Sequence, residues 1–384
     1  MRTISLLQPK RLTIGSGCLQ ECEKYLEDLA PQHLHIVTSP SQSNVASQLA
    51  VKLAQSDCIV SIDDSIASEP TIEMFETSLT RANGATCIVG LGGGSPLDVA
   101  KLVAALLRSD QHIEDCFGIG FLRGRACHLV CIPTTSGTGS EVSPNAILLD
   151  EVAKLKKGVV SSYLVPDATF IDPTLTITMS PAVTASTGLD ALTHCIEAYT
   201  NKFAHPLVDV YALQGITNCG QFLVRAVTQP DDLTAREGMS LASFYGGLCL
   251  GPVNTAAVHA LAYPLGGEFH LAHGLSNAIL LPHVFRFNAE ASPERHAAVA
   301  IALGASPAPS NLETAYAGAD KLQAMAAACG ISSNMRRHGI EPSAIPGMAR
   351  SAMTVTRLLK NNPRDITEAD CVEIYSRCFK AVPA

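Results

Sequence analysis

Charge is scarce in this chain. Of its 384 residues only 16% are Asp, Glu, Lys or Arg, against 47% hydrophobic ones. A composition this poor in charge excludes a disordered chain and calls for large buried faces. Basic tracts are missing too: 27 Lys and Arg stand against 35 Asp and Glu, a net charge of -8. The densest basic run is Lys154, Lys156 and Lys157, so neither a nucleic acid nor an anionic membrane is expected as a partner. No uninterrupted apolar run reaches the roughly 18 residues of a membrane-spanning helix. The apolar core of Met1–Lys10 is too short for a signal peptide, which predicts a soluble, cytoplasmic protein. Among the 13 cysteines there is no Cys-x-x-Cys pair, and the spacings Cys18/Cys22 and Cys127/Cys131 do not suit a structural zinc site. They read as small buried apolar residues of a reducing compartment.

Internal repeats and low-complexity linkers are absent as well, and the length suits two domains of roughly 100–200 residues. Short β-type runs alternate with helical patterns over the first half: His33–Thr38, Cys58–Ile62, Thr86–Leu91, His128–Ile132, Ala146–Leu149 and Thr169–Ile171. Between them lie amphipathic stretches such as Ser43–Ala54, Thr71–Arg81 and Pro96–Leu107. Near-continuous apolar strands separated by helices predict a parallel sheet covered on both faces. From Ser180 the texture becomes a succession of Ala-rich helices, Pro181–Tyr199, Pro206–Val224, Ala235–Leu250 and Thr255–Leu265. The expectation is therefore an α/β, Rossmann-like dinucleotide-type domain over 1–179 and an all-helical domain over 180–384.

Two loops carry chemistry in the α/β half. The run Cys87–Leu91 leads into Gly92-Gly93-Gly94-Ser95, and Pro96 opens a helix. Strand, glycine turn and helix N-terminus together present free N–H groups and a positive dipole end, which suits a phosphate. The G-x-G-x-x-G fingerprint is absent, so the loop by itself indicates a phosphate-bearing ligand and no more. The second loop, Pro133 to Glu141, offers five hydroxyls at the carboxyl end of another strand, where open α/β sheets hold ligands.

In the helical half, Asp190 and His194 stand at i and i+4 on an apolar helix and project from one face. Four of the twelve histidines then fall within 25 residues: His259, His270, His273 and His283. One carboxylate with several imidazoles suits Fe(II) or Zn(II) better than Mg(II) or Ca(II).

These motifs, in this order and over nearly the whole length, resemble the iron-containing (group III) alcohol dehydrogenases. The likeness rests on Gly92 to Asp98, Pro133 to Val142, Gly188 to His194, Gly274 to Val284 and Asn362-Pro363-Arg364. It implies an NAD(P)-linked, metal-dependent oxidoreductase of small alcohols, aldehydes or hydroxyacids, with Fe2+ or Zn2+. Hydride would pass between an alkoxide or carbonyl held on the metal and C4 of the nicotinamide. The architecture implied, shared with dehydroquinate synthase, has the site in a cleft, and relatives form homodimers or larger assemblies. The four implied metal ligands are Asp190, His194, His259 and His273. Gly93, Gly94, Ser95 and Asp98 would hold the pyrophosphate. Thr134, Thr135, Thr138 and Lys156 would line the rest of the cofactor site, with Leu175 and Thr178 nearby and Asn145 where relatives touch substrate.

Departures from the family pattern are informative. Ser39 stands where NAD-preferring relatives carry an Asp after the second strand; without that carboxylate NADP is no longer excluded. Glu69 replaces an Asn near the adenosine. Tyr263 replaces a proton-relaying His four residues after the third ligand, leaving His270, or water and ribose, for the relay. The maleylacetate reductases share the fold and would be the nearest alternative, but they depart at the metal ligands, which are intact here.

Overall fold

A computed structural model of the chain describes residues 2–56, 58–153 and 155–379; Met1 and Lys154, which enter the reading above, lie outside them. Two compact units emerge. One holds the described parts of Leu6–Thr135 and Gly139–Ile177, the other those of Met1–Ser5, Ser136–Thr138 and Thr178–Ala384.

The first unit is built on six parallel strands: β1 (Arg11–Ile14), β2 (His33–Thr38), β3 (Ile59–Asp63), β4 (Cys87–Gly92), β6 (His128–Pro133) and β9 (Ala168–Ile171). Their order in the sheet is β1-β9-β6-β4-β2-β3. The central strands are buried on both sides, and their alternation sends Cys87, Val89 and Leu91 into one core and Ile88 into the other. Helices α1 (Leu19–Leu29) and α2 (Ser43–Leu53) cover the first face; α3 (Ile72–Arg81) and α4 (Gly94–Leu106) cover the second. Each such buried aliphatic side chain contributes about 1.5–3 kcal/mol.

Three short strands form a separate sheet in the order β5-β8-β7, with β5 at Gly118–Ile119, β7 at Asn145–Asp150 and β8 at Leu155–Val160. The expected strand Ala146–Leu149 is therefore a strand but not a member of the main sheet. It pairs antiparallel with β8.

The second unit is helical among its described residues, with α5 (Pro181–Thr200), α6 (Pro206–Thr228), α7 (Leu233–Leu250), α8 (Ala257–Phe269) and α9 (His273–Ala289). Five further helices follow, α10 (Pro293–Ala302), α11 (Asn311–Ala328), α12 (Ile345–Met353), α13 (Thr356–Leu359) and α14 (Glu368–Arg377). A single apolar core runs through them. Ser180 caps α5, its hydroxyl accepting from the N–H of Val183, and Pro181 supplies a first-turn residue with no N–H to satisfy. No described helix is long and apolar enough to cross a membrane. All the cysteines are unpaired and all but Cys58 are buried.

Candidate metal centre

Helix α5 carries Asp190, His194 and Glu197 at i, i+4 and i+7, a single stripe, and all three are buried. His259 comes from the first turn of α8 and His273 opens α9. One donor atom from each of Asp190, His194, His259 and His273 falls within a sphere in which no two lie more than 4.8 Å apart. Asp190 Oδ1 is 3.6 Å from the Nε2 atoms of His259 and His273 and 3.9 Å from that of His194. Those separations are too long for hydrogen bonds. They are close to what donors around a single ion require, since bonds of about 2.0–2.2 Å in a tetrahedral array leave neighbouring donors about 3.4 Å apart. The His194 and His259 rings stack at 4.8 Å between centroids.

The electrostatics ask for a cation. Burial would raise the pKa of Asp190, but His194, His273 and His259 outweigh it and hold the carboxyl well below its usual range. Burial disfavours charge on His259, yet Glu197 and Asp190 together lift its pKa to about 9. Burial dominates at His194, whose pKa is lowered. Two carboxylates enclosed with three imidazoles thus favour positive charge, and the N/O donor set fits a divalent ion. His273 is the open side: its side chain is 28% exposed, against 3–6% for the other three.

Two supporting residues escaped the sequence reading. Glu197 accepts from His259 Nδ1 at 2.6 Å. Asn277, one turn into α9, donates from Nδ2 to Asp190 Oδ1 at 2.7 Å and lies 3.1 Å from His259 Nε2. Both sit one turn from a ligand on the same helix face, at His194+3 and His273+4, and that spacing was the available signal.

The proposed proton-relay residues lie close by in sequence. Tyr263 follows His259 by one turn of α8 and is partly buried. His270 is exposed and terminates α8 in the left-handed conformation, φ 55° and ψ 27°, its N–H donated to the Gly266 carbonyl and that of Leu271 to the Leu265 carbonyl. A left-handed turn at a residue other than Gly is costly. Here it ends one helix early enough for the next to begin at His273. Leu250 is buried at the end of α7.

In the α/β unit, Gly92 has φ +150°, and a Cβ there would meet Pro96 Cγ at 2.9 Å, so only glycine makes this turn. Gly93 precedes α4 with no side-chain cap, leaving the first N–H groups of a 13-residue helix at Gly94 and Ser95 to meet an anion. The Thr134 N–H is donated to Gly92 O, and the Thr135 side chain lies within 3.4 Å of where a Gly93 Cβ would stand, so the two loops abut.

Asp98, expected beside the pyrophosphate, is engaged within the protein. Its two oxygens are already taken, Oδ1 by the Ser140 hydroxyl and Oδ2 by the Ile147 N–H at 2.9 Å. A carboxylate also repels phosphate, so Asp98 acts behind the loop, holding it. Lys101, one turn further along α4 and wholly buried, donates to the carbonyls of Ser140 at 2.8 Å and Ser143 at 2.9 Å, and to that of Asn145. Burial lowers the Lys101 pKa and raises that of Asp98.

The remaining residues divide. The Lys156 side chain is 4% exposed and ion-paired with Glu69, so it is not a solvated surface charge. Asn145 leaves a buried Oδ1 without a hydrogen-bond partner, and Ser39 ends β2 with its hydroxyl 2.9 Å from that of Ser41. Leu175 packs against the core on the α1–α2 face. Thr138 and Thr178 belong to the helical unit. There the adjoining Ser136 places its hydroxyl 3.2 Å from that of Ser240 on α7.

Comparison with known proteins covers both units. A family model described as iron-containing alcohol dehydrogenase matches residues 9–173, and the C-terminal model of the Fe-containing alcohol dehydrogenase family matches residues 184–379. Long-chain-alcohol dehydrogenase 1 of Geobacillus thermodenitrificans is 35% identical over 387 aligned residues, covering 99% of this chain and 98% of its own. The crystal structure of a 1,3-propanediol oxidoreductase superposes with a TM-score of 0.94 at 31% identity, covering 98% of this chain and 100% of the other. That of sulfoacetaldehyde reductase from Bifidobacterium kashiwanohense, in complex with NAD+, gives 0.87 at 26% identity over the whole of both chains.

Proposed function

The chain belongs to the iron-containing alcohol dehydrogenase family, and from that premise we propose that it interconverts small primary alcohols and their aldehydes with NAD(P) and a divalent cation, Fe2+ first and Zn2+ second. One observation carries the reading: one carboxylate and three imidazoles from three helices converge within 4.8 Å inside the helical unit. Three neutral nitrogen donors and one carboxylate favour these ions over Mg2+. The relatives named above act on a long-chain alcohol, a diol and a sulfonated aldehyde. What those substrates share is the reacting alcohol or aldehyde carbon, and the rest of the molecule is free to vary.

When bound, a divalent ion would supply Lewis-acid polarisation of the substrate oxygen and a nicotinamide dinucleotide the hydride chemistry. Everything else falls to the protein. Asp190, His194, His259 and His273 would hold the ion, and His273, the most exposed of the four, would face the incoming substrate. The Gly93–Ser95 turn would offer N–H groups to the pyrophosphate, with the Thr135 hydroxyl beside it. Asp98 and Lys101 keep the second loop in place, and the unpartnered Asn145 Oδ1 is available to accept from a ligand N–H. His270 and Tyr263 remain the candidates for passing the alcohol proton outward.

Elemental analysis of anaerobically purified protein tests the reading directly, joined to absorbance of the reduced nicotinamide with a panel of short alcohols and hydroxyacids. We expect close to one Fe or Zn per chain and a turnover that disappears on chelation and returns on reloading. Undiminished turnover in fully metal-free protein would overturn it.

Ser39 makes cofactor choice testable. A carboxylate at the end of β2 accepts ribose hydroxyls and repels a 2′-phosphate. Ser39→Asp is therefore expected to shift the ratio of kcat/KM for NAD over NADP upward by about tenfold or more, equivalent to roughly 1.4 kcal/mol. An unchanged ratio would place the adenosine ribose elsewhere.

A further inference from the structure

Helix α8 begins without a cap of its own. Ala256 stands at the N-cap with no side chain able to accept a hydrogen bond, yet the first N–H groups of a helix need partners when buried. The partner comes from α5. Glu197, 4% exposed, accepts from the Ala256 N–H at 2.9 Å and the Val258 N–H at 2.6 Å. The same carboxylate accepts from His259 Nδ1 at 2.6 Å. A negative charge at a helix N-terminus is favourable in itself, but this one does more than cap.

An imidazole that ligates a metal is neutral and carries its proton on one nitrogen only. With Nδ1–H committed to Glu197, the lone pair lies on Nε2, the atom that faces Asp190 across 3.6 Å. We infer that Glu197 is the positioning residue of the metal centre. It fixes the ring orientation and tautomer of His259 and seats the start of α8, so that one buried carboxylate sets both the ligand and the backbone that carries it. The inference rests on the metal reading above. It adds a residue that touches neither substrate nor ion.

Glu197→Gln tests it. The carboxamide has a single acceptor oxygen for three donors. Serving the two backbone N–H groups turns its NH2 toward Nδ1, which selects the opposite tautomer and puts a proton on the ligating nitrogen. The expected result is metal affinity weakened about 10–100-fold, as for other supporting partners of metal-bound histidines. Chelator competition with Zn2+ or Co2+ measures it, and NAD+ binding should be unchanged. A purely structural role would lower the melting temperature and leave metal affinity at the wild-type value, which would overturn the inference.

The wild-type protein supplies a second measurement that does not depend on the variant folding. Nitrogen-15 spectra of the Zn2+-loaded protein should show His259 protonated at Nδ1; an unprotonated Nδ1 there would overturn the assignment. Should the wild type bind neither Zn2+ nor Co2+, the metal reading falls and takes this inference with it. Wild-type binding matched by the variant would defeat the role of Glu197 alone.

Discussion

Asp190→Asn is expected to purify without metal and to lose turnover by about three orders of magnitude or more while still binding dinucleotide. The substitution keeps the volume of a side chain that is 2% exposed, and the new carboxamide oxygen can still accept from Asn277. What it removes is the one negative charge among four donors. Loss of a mere supporting partner weakens such sites about 10–100-fold, so loss of the charged ligand itself should exceed that. The glycine turn before α4 lies in the other compact unit, which is why dinucleotide affinity serves as the internal control. Metal analysis, kcat and dinucleotide titration on one preparation decide the matter. A fully loaded, fully active variant would show that Asp190 is no ligand.

The second large effect is steric. Alanine in place of glycine within a helix normally stabilises by roughly 0.5–1 kcal/mol. Gly274 lies in the first turn of α9, and a Cβ built on it would stand 2.2 Å from the carbonyl oxygen of Ser186 and 2.7 Å from its carbon. Both atoms are backbone of α5 and cannot swing aside. Overpacking of this kind costs about 1–3 kcal/mol or more, so the sign of the usual alanine effect should reverse. Because His273 is the preceding residue, the forced separation of α9 from α5 should also draw that imidazole away from Asp190. Gly274→Ala is expected to lower the melting temperature by several degrees and to bind metal poorly. Gly347, inside α12 with nothing within 4 Å of its would-be Cβ, provides the control: Gly347→Ala should be neutral or mildly stabilising. Equal effects at the two sites would refute the close approach.

The elements most legible in the sequence are those whose burial leaves a pattern. Strands β2, β4 and β6 read as continuous apolar runs because both faces are covered. Helices α5 to α8 read as Ala-rich periodic stretches. Strand β1 escaped because it is four residues long and opens on Arg11. Strand β8 escaped because Lys156, Lys157 and Gly158 interrupt it. Without β8 the pairing of β7 could not be read, and a correct strand was placed in the wrong sheet. The i, i+4 spacing of Asp190 and His194 was enough to mark one face of a ligand set, but the depth of Glu197 was not. An acid on an apolar helix stays unexplained until the donors of another helix are brought to it. Asp98 shows the opposite limit. It lies just past the first turn of the helix that follows the glycines, and the direction of its carboxylate is invisible in the sequence.

Lys101 has one last consequence. Its ammonium is ringed by the carbonyls of Ser140, Ser143 and Asn145. Being tethered, this charge cannot dissociate or be exchanged for sodium. The hydroxyl-rich segment after β6 is therefore held by a charge that the chain itself supplies.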